Sequence, residues 1–141
     1  MVIRKMKKLT KNILCLSVIL AIVTGCTGPR KPVTVCLVST SDIHGRIFDE
    51  DCLTGQQREG SLAKFSTFLS RLRKENRNVV YLDAGDNLQG AVDVYQDVTA
   101  QFSRTSLPAE ALNYLGCFAT VLGNHDFSVG PTCYDRFLRN L

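Results

Sequence analysis

Both histidines of this 141-residue chain lie in short polar clusters, and each cluster directly follows an apolar run. There are three such clusters along the chain. Their candidate functional side chains are Asp42, His44, Asp86, Asn124, His125 and Asp126. Carboxylate, imidazole and amide groups together suit a divalent ion such as manganese, zinc or iron, and they are poor ligands for copper(I) or an iron–sulfur cluster. The residue types therefore predict a metal site.

The apolar runs before the clusters have the composition of buried strands. We expect strands at Val33–Thr40, Val79–Leu82 and Cys117–Leu122. After Ser61, a candidate N-cap, apolar residues recur every three or four positions, which predicts a helix as far as Glu75. A shorter helix is expected to start at Pro108 and stop at Gly116. Residues 91–105 show no clear pattern, and a last amphipathic piece covers 134–141.

The alternation of strands and helices predicts an α/β fold with a parallel sheet. The fold class expected is a layered α/β sandwich, of which this chain supplies a βαβαβ start. The carboxyl ends of parallel strands lie at one edge of the sheet, where ligand and catalytic groups usually gather. The three polar clusters are therefore expected to converge on one site.

Three short motifs follow these strands: Asp42-Ile43-His44-Gly45, the segment GDNLQG at 85–90 and the segment GNHD at 123–126. Together they resemble the calcineurin-like metallophosphoesterase superfamily. The flanking sequences resemble its branch of secreted 5′-nucleotidases and 2′,3′-cyclic-nucleotide 2′-phosphodiesterases. The resemblance implies a hydrolase that acts on nucleotide phosphoesters with two divalent ions, such as manganese, zinc or iron.

The resemblance also implies a role for each cluster. Asp42 and His44 would bind the first ion, Asp86 would bridge both ions, and Asn124 would bind the second. His125 would contact the phosphate and protonate the leaving oxygen. The family usually has an acidic residue three positions after this histidine, but the position is Ser128 here. Asp126 is the nearby carboxylate, so we take His125 and Asp126 as the candidate catalytic residues.

The family draws further histidines from later strands, whereas this chain has none after His125. The sequence resembles the first portion of a longer enzyme, and we expect that this chain lacks the carboxyl-terminal half of that enzyme. We therefore expect the chain alone to bind at most one ion and to be inactive. The alternative is a non-catalytic exported lipoprotein, a remnant with a partial metal site.

The amino terminus has the layout of an export signal. A basic stretch without acidic residues precedes the apolar run 13–23. An apolar run of that length is shorter than the roughly 20 residues of a membrane span. The sequence Val23-Thr24-Gly25-Cys26 resembles a bacterial lipobox, which implies lipidation of Cys26 and a location in the bacterial cell envelope. We expect a signal peptide at 1–25, a tether at 26–32 and the domain at 33–141. An uncleaved anchor and an ordinary signal peptide remain alternatives.

The positive net charge of +4 belongs to this leader. Five of the 17 basic residues precede residue 26, which leaves 12 basic against 13 acidic residues in the body. This balance argues against a nucleic acid polymer as a partner. The body has four cysteines without metal-site spacing, and their pairing is left open by the sequence.

Overall fold

The computed structural model describes residues 31–99 and 104–141. The predicted signal peptide and Cys26 lie outside the described residues, as do all but the last two residues of the predicted tether. Residues 34–141 form one compact unit. Within the described part of the chain, no helix has the length and apolar character needed to cross a membrane.

In the part of the chain that the structure describes, three parallel strands form the sheet, in the order β1 (Cys36–Thr40), β2 (Val79–Asp83) and β3 (Ala119–Thr120). The predicted α/β class is thus confirmed. The first and third strands are shorter than the apolar runs that predicted them. Ladder pairing needs a partner backbone, and the third strand pairs with β2 only at Ala119 and Thr120.

Helix α1 (Leu62–Glu75) connects β1 to β2, as predicted. The Ser61 side chain accepts a hydrogen bond from the backbone N–H of Lys64, which caps the first turn. The helix packs on one face of the sheet, where the rings of Phe65 and Tyr81 lie 4.9 Å apart. This face therefore carries the hydrophobic core.

Among the described residues between β2 and β3 there are two helices: α2 (Val92–Thr99), in a segment without a clear sequence pattern, and α3 (Leu107–Tyr114). The chain continues through the short helix α4 (Asn124–Ser128) to α5 (Pro131–Asn140). The last helix begins three residues earlier than the amphipathic pattern indicated.

The core lies between the sheet and these helices. Its fully buried side chains include Leu69, Tyr81, Val94, Leu112 and Phe137. Within the described residues, no disulfide joins the four cysteines of the body. Hydrophobic packing therefore holds together the frame on which the polar clusters stand.

Candidate metal centre

The polar clusters meet because backbone hydrogen bonds join the segments that follow the three strands. The N–H of Asp42 donates to the carbonyl of Gly85 (3.1 Å), and the N–H of His44 donates to the carbonyl of Asp86 (2.8 Å). The N–H of His125 donates to Oδ1 of Asp86 (2.8 Å). Asp86 thus links the segments after β1 and β3 to the segment after β2.

This arrangement brings His44, Asp86 and His125 together. Each offers one ligand atom, and these atoms lie within 4.8 Å of one another. The two imidazole rings are 5.0 Å apart in an edge-to-face arrangement. Two ligands that are each about 2.0–2.2 Å from one ion lie at most about 4.4 Å apart. The spacing is therefore close to the size of one ion site, and His125 lies directly beside any ion that His44 and Asp86 would hold.

Asp42 and Asn124 border this group. Oδ1 of Asp42 lies 3.8 Å from Nε2 of His44, and the Asp42 side chain is 61% exposed. Asn124 is the first residue of α4, is exposed and directly precedes His125. Both predicted ligands therefore lie beside the three-residue group, at positions open to solvent.

The contacts of His44 indicate why a cation fits here. Its Nδ1 lies 3.1 Å from the backbone carbonyl oxygen of Gln89. A carbonyl oxygen only accepts hydrogen bonds, so Nδ1 donates and the neutral ring has its lone pair at Nε2. In this tautomer the lone pair and the Asp42 carboxylate are both acceptors 3.8 Å apart, and neither group has a hydrogen to donate to the other. Imidazole nitrogens and carboxylate oxygens suit a first-row divalent ion, so the residues present fit such an ion.

Three residues of the site have left-handed backbone conformations. The φ angles are 54° at Asp42, 50° at His44 and 60° at Asp86. Non-glycine residues rarely adopt this region, and each instance costs of order 1–3 kcal/mol. Such conformations concentrate at functional sites. All three non-glycine residues with positive φ in the described chain belong to the predicted metal ligands.

The segment after β3 approaches Asp86 closely, and this approach requires glycine at position 123. A Cβ atom at Gly123 would lie 2.1 Å from Oδ1 of Asp86 and 2.8 Å from its backbone nitrogen. Both distances are too short for non-bonded atoms. The glycine of the GNHD segment therefore allows the contact between Asp86 and the start of α4.

Asp126 does not occupy the position of a catalytic partner. Its side chain is fully buried, and its carboxylate accepts hydrogen bonds from four backbone N–H groups at 2.7–2.9 Å. The donors are Asp86, Asn87, Leu88 and Gly123. These contacts correct the expectation that Asp126 works with His125 in catalysis. Since all four bonds go to backbone, Asp126 holds the segments after β2 and β3 together.

Asp83 is a second buried carboxylate, and sequence reasoning missed its role. It accepts hydrogen bonds from the hydroxyls of Thr40 and Thr120, both at 2.7 Å. It also accepts from the backbone N–H of Gly85 and the side-chain amide of Asn87. Thr40 and Thr120 are its register partners on the two neighbouring strands. The sequence signal for this role was the presence of polar residues at matching positions near the ends of the three predicted strands: Thr40, Asp83 and Thr120.

Gln89 is the residue that contacts the ring of His125. Nδ1 of His125 lies 2.7 Å from Oε1 of Gln89. The hydroxyl of Ser128 lies 2.9 Å from the same amide oxygen and 2.6 Å from the backbone carbonyl of His125. Ser128 replaces the acidic residue expected at this position. An amide therefore contacts the imidazole where the family resemblance implied a carboxylate.

A pocket of about 550 Å³ opens beside His44 and is partly lined by Arg46 and Arg58. Arg46 donates from Nε to the carbonyl of Ile43 (3.1 Å) and from Nη2 to the carbonyl of Asp42 (3.2 Å). These bonds hold an exposed guanidinium close to the candidate ligands. The lining also includes Asp51 and Glu59, so its charges balance. Arg46 is the cationic side chain that lies beside the predicted ligand Asp42.

Comparisons with known proteins agree with this geometry. The chain is 34% identical to a 5′-nucleotidase of Mus musculus in an alignment of 113 positions that covers 74% of this chain and 18% of that protein. It is 27% identical to a trifunctional nucleotide phosphoesterase of Bacillus subtilis in an alignment of 114 positions that covers 76% of this chain and 8% of that protein. The chain thus spans less than a fifth of the length of these two relatives.

A solved structure and a family model give the same result. The crystal structure of a calcineurin-like phosphoesterase from Bacillus subtilis matches with a TM-score of 0.65 and 25% identity, over 75% of this chain and 34% of that one. The family model for calcineurin-like phosphoesterases matches residues 37–140, which include all three motifs and all three strands except Cys36. Sequence, fold and site geometry agree, and the chain belongs to the calcineurin-like phosphoesterase family.

Proposed function

We propose that this chain supplies metal-binding and proton-donating residues for the hydrolysis of nucleotide phosphoesters, in the manner of a 5′-nucleotidase or a cyclic-nucleotide phosphodiesterase. The observation that carries the proposal is the meeting of His44, Asp86 and His125 at the carboxyl edge of the sheet. The likeness to nucleotide-hydrolysing relatives supports the choice of substrate class.

The proposal gives each residue a role. Asp42, His44, Asp86 and Asn124 would hold the divalent ions, with Asp86 in contact with both. When bound, the ions would stabilise negative charge on the phosphoryl oxygens as Lewis acids. The exposed guanidinium of Arg46, held beside Asp42, would donate hydrogen bonds to the anionic substrate.

His125 is the proposed proton donor to the leaving oxygen. It lies within the candidate group but is exposed, so a substrate atom can reach its ring. Its place is fixed by the bond from its backbone N–H to Asp86 and by the contact of Nδ1 with Gln89. A positioned general acid of this type typically contributes about 10²–10⁴-fold to the rate.

Metal binding is tested on the full chain by calorimetric titration with Mn²⁺. We expect at most one ion, because the second proposed site has only Asp86 and Asn124 among the predicted ligands of this chain. The variant Asp86→Asn should bind manganese much more weakly. Absence of any manganese binding by the folded wild-type protein would contradict the proposed metal centre.

Hydrolysis is tested in a chimera in which residues 37–140 replace the matching segment of the Bacillus subtilis relative. We expect the chimera to release phosphate from a nucleotide, to lose this activity with a chelator and to regain it with Mn²⁺. His125→Asn should lower turnover while metal content stays nearly constant. A folded chimera that binds manganese but hydrolyses no nucleotide would instead favour a non-catalytic protein with a partial metal site.

We further propose that the chain is attached to a membrane of the bacterial envelope through lipidated Cys26. The proposal is supported by the basic leader, the apolar run 13–23 and the lipobox-like sequence before Cys26. Several acyl chains give stable attachment, whereas one gives only marginal binding. Cys26→Ser should release the protein from membranes or leave it unprocessed. An intact, unmodified amino terminus in mass spectrometry of the wild-type protein would contradict this proposal.

A further inference from the structure

One residue, Gln89, contacts both histidines of the chain, and it does so with two different oxygen atoms. Its backbone carbonyl oxygen lies 3.1 Å from Nδ1 of His44. Its side-chain oxygen Oε1 lies 2.7 Å from Nδ1 of His125. In each histidine, the ring nitrogen Nδ1 therefore contacts an oxygen atom of Gln89.

Both oxygens can only accept hydrogen bonds, because neither a carbonyl nor an amide oxygen has a proton to give. In each contact, the imidazole must then donate from Nδ1. A neutral imidazole carries one proton, so each ring is left with its lone pair on Nε2. The contact of one ring nitrogen sets the tautomer and thus the chemistry of the other.

We propose that Gln89 is a positioning residue that fixes both imidazoles in the Nδ1–H tautomer. It acts on His44 through its backbone and on His125 through its side chain. The Ser128 hydroxyl lies 2.9 Å from Oε1 and 2.6 Å from the carbonyl of His125, so its one proton is shared between the amide and the backbone of His125. The purpose of this arrangement rests on the proposed function: it leaves Nε2 of His44 free to bind a cation, and it makes Nε2 of His125 the atom that takes up the proton later donated to the leaving oxygen. In the opposite tautomer, Nε2 would carry hydrogen and exclude a cation.

Gln89 contacts His44 through its backbone and His125 through its side chain, so substitution of Gln89 should affect the two rings differently. Any residue at position 89 supplies a backbone carbonyl, so His44 should keep its tautomer when the side chain changes. His125 depends on the side chain alone. Gln89 is exposed, so its replacement leaves the buried core intact. His44 thus serves as an internal control for His125 in the same molecule.

The experiment is long-range ¹H–¹⁵N NMR of the full chain labelled on histidine nitrogen, without metal, at roughly pH 8.5, where free histidine is neutral. Only two ring systems are present, which makes assignment direct. We expect both rings to show the Nδ1–H pattern in the wild-type protein. In Gln89→Leu, which has no acceptor, His125 alone should lose this pattern. Gln89→Glu, which keeps an acceptor, should retain it.

Gln56→Leu, a substitution of an exposed glutamine in the loop before α1, is the matched control and should change neither ring. The inference is overturned if wild-type His125 shows the Nε2–H pattern, or if Gln89→Leu leaves His125 unchanged. Loss of both patterns in Gln89→Leu would mean that the loop has moved, and Gln89→Glu then decides: failure of this variant to keep the His125 pattern also overturns the inference. Since no metal or substrate is present, these outcomes are independent of the tests of hydrolysis.

Discussion

The aspartates at the sheet edge are held in two contrasting ways. Asp83 and Asp126 are buried, with 4% and 0% of their surfaces exposed, and each accepts four hydrogen bonds. We call them the buried carboxylate pair. Asp42, in the β1–α1 loop (residues 41–61), is exposed, and its carboxylate accepts from the hydroxyl of the neighbouring Ser41. The pair thus supports the frame, while Asp42 keeps oxygen atoms available to a ligand.

Under the proposed assignment of metal ligands, the two carboxylates with the most hydrogen bonds support the fold and do not bind the ion. A carboxylate whose lone pairs are all used by backbone N–H groups has little capacity left for a metal. An exposed carboxylate keeps that capacity but needs a neighbour to place it. Here the backbone of the β1–α1 loop is joined to Gly85 and Asp86, next to the segment that Asp126 organises. The buried pair therefore positions the exposed ligands indirectly.

The largest effect is expected from Asp126→Asn, which replaces one carboxylate oxygen by a donor. Two of the four backbone N–H groups would lose their acceptor, and each buried, unsatisfied group costs about 1–3 kcal/mol. The free energy of unfolding should fall by about 2–6 kcal/mol in urea denaturation. The matched change Asp42→Asn should alter it by no more than about 0.5 kcal/mol. Equal effects of the two substitutions would remove the distinction between the two groups of aspartates.

Arg58→Gln tests how the β1–α1 loop is held. Arg58 forms two hydrogen bonds to the buried side chain of Asp93 in α2, at 2.6 and 2.9 Å, and a third to Asp51. Loss of this guanidinium should lower the free energy of unfolding by about 2–3 kcal/mol near neutral pH, because a buried carboxylate loses its charged donor. Denaturation of the variant in urea measures this loss.

The pH dependence of the same variant tests whether the charge on Asp93 causes this loss of stability. Burial alone would raise the pKa of Asp93, but hydrogen bonds from Arg58 and from backbone N–H groups outweigh it and lower the pKa below 3.8. The stabilisation is therefore present above pH 3.8 and is lost as the pH falls through the lowered value. The difference in free energy of unfolding between wild type and Arg58→Gln should therefore shrink on acidification. A difference that is constant from neutral pH to pH 2 would contradict the ion pair as its cause.

Gly123→Ala tests the close approach to Asp86. The added Cβ would overlap Oδ1 of Asp86, so the carboxylate or the start of α4 must shift. We expect a loss of about 1–3 kcal/mol in the free energy of unfolding, the usual cost of overpacking, together with weaker Mn²⁺ binding in calorimetry. Gly60→Ala is the matched control, because a Cβ there meets no atom within 4 Å. Tolerance of both substitutions would mean that the contact has no role in placing Asp86.

The smallest predicted effect is a difference in Mn²⁺ affinity between variants of two predicted ligands. Asp86 lies in the three-residue group and is 8% exposed, whereas Asp42 lies at its border. Asp86→Asn should weaken Mn²⁺ binding about tenfold more than Asp42→Asn, a difference of about 1.4 kcal/mol. Calorimetric titration of both variants measures this difference. A stronger effect of Asp42→Asn would reverse the order that we infer from burial.

Features with local causes were predictable from the sequence. The bounds of α1 follow from Ser61 and from the apolar spacing after it, both of which act within a few residues. The length of β3 was overestimated because pairing depends on a partner strand. The contact between His125 and Gln89 joins residues 36 positions apart, and no local pattern indicates it.

The aspartates show the same division. Asp42, Asp83, Asp86 and Asp126 all follow apolar runs, so the sequence placed all of them close to the sheet edge. Their roles differ because some carboxylates turn inward to backbone N–H groups and others turn to solvent, and residue type alone does not determine this direction. The convergence of the segments was predictable, whereas the division of labour among the aspartates was not.

The left-handed conformations of Asp42, His44 and Asp86 have a consequence for evolution and for engineering. Glycine adopts such conformations without the steric cost that a Cβ imposes. Selection for stability alone would therefore favour glycine at all three positions, and each replacement would delete a predicted ligand. A stabilising design guided by backbone geometry would erase the candidate metal centre first. The residues at these three positions lower the stability of the backbone but supply the side chains that the proposed metal centre needs.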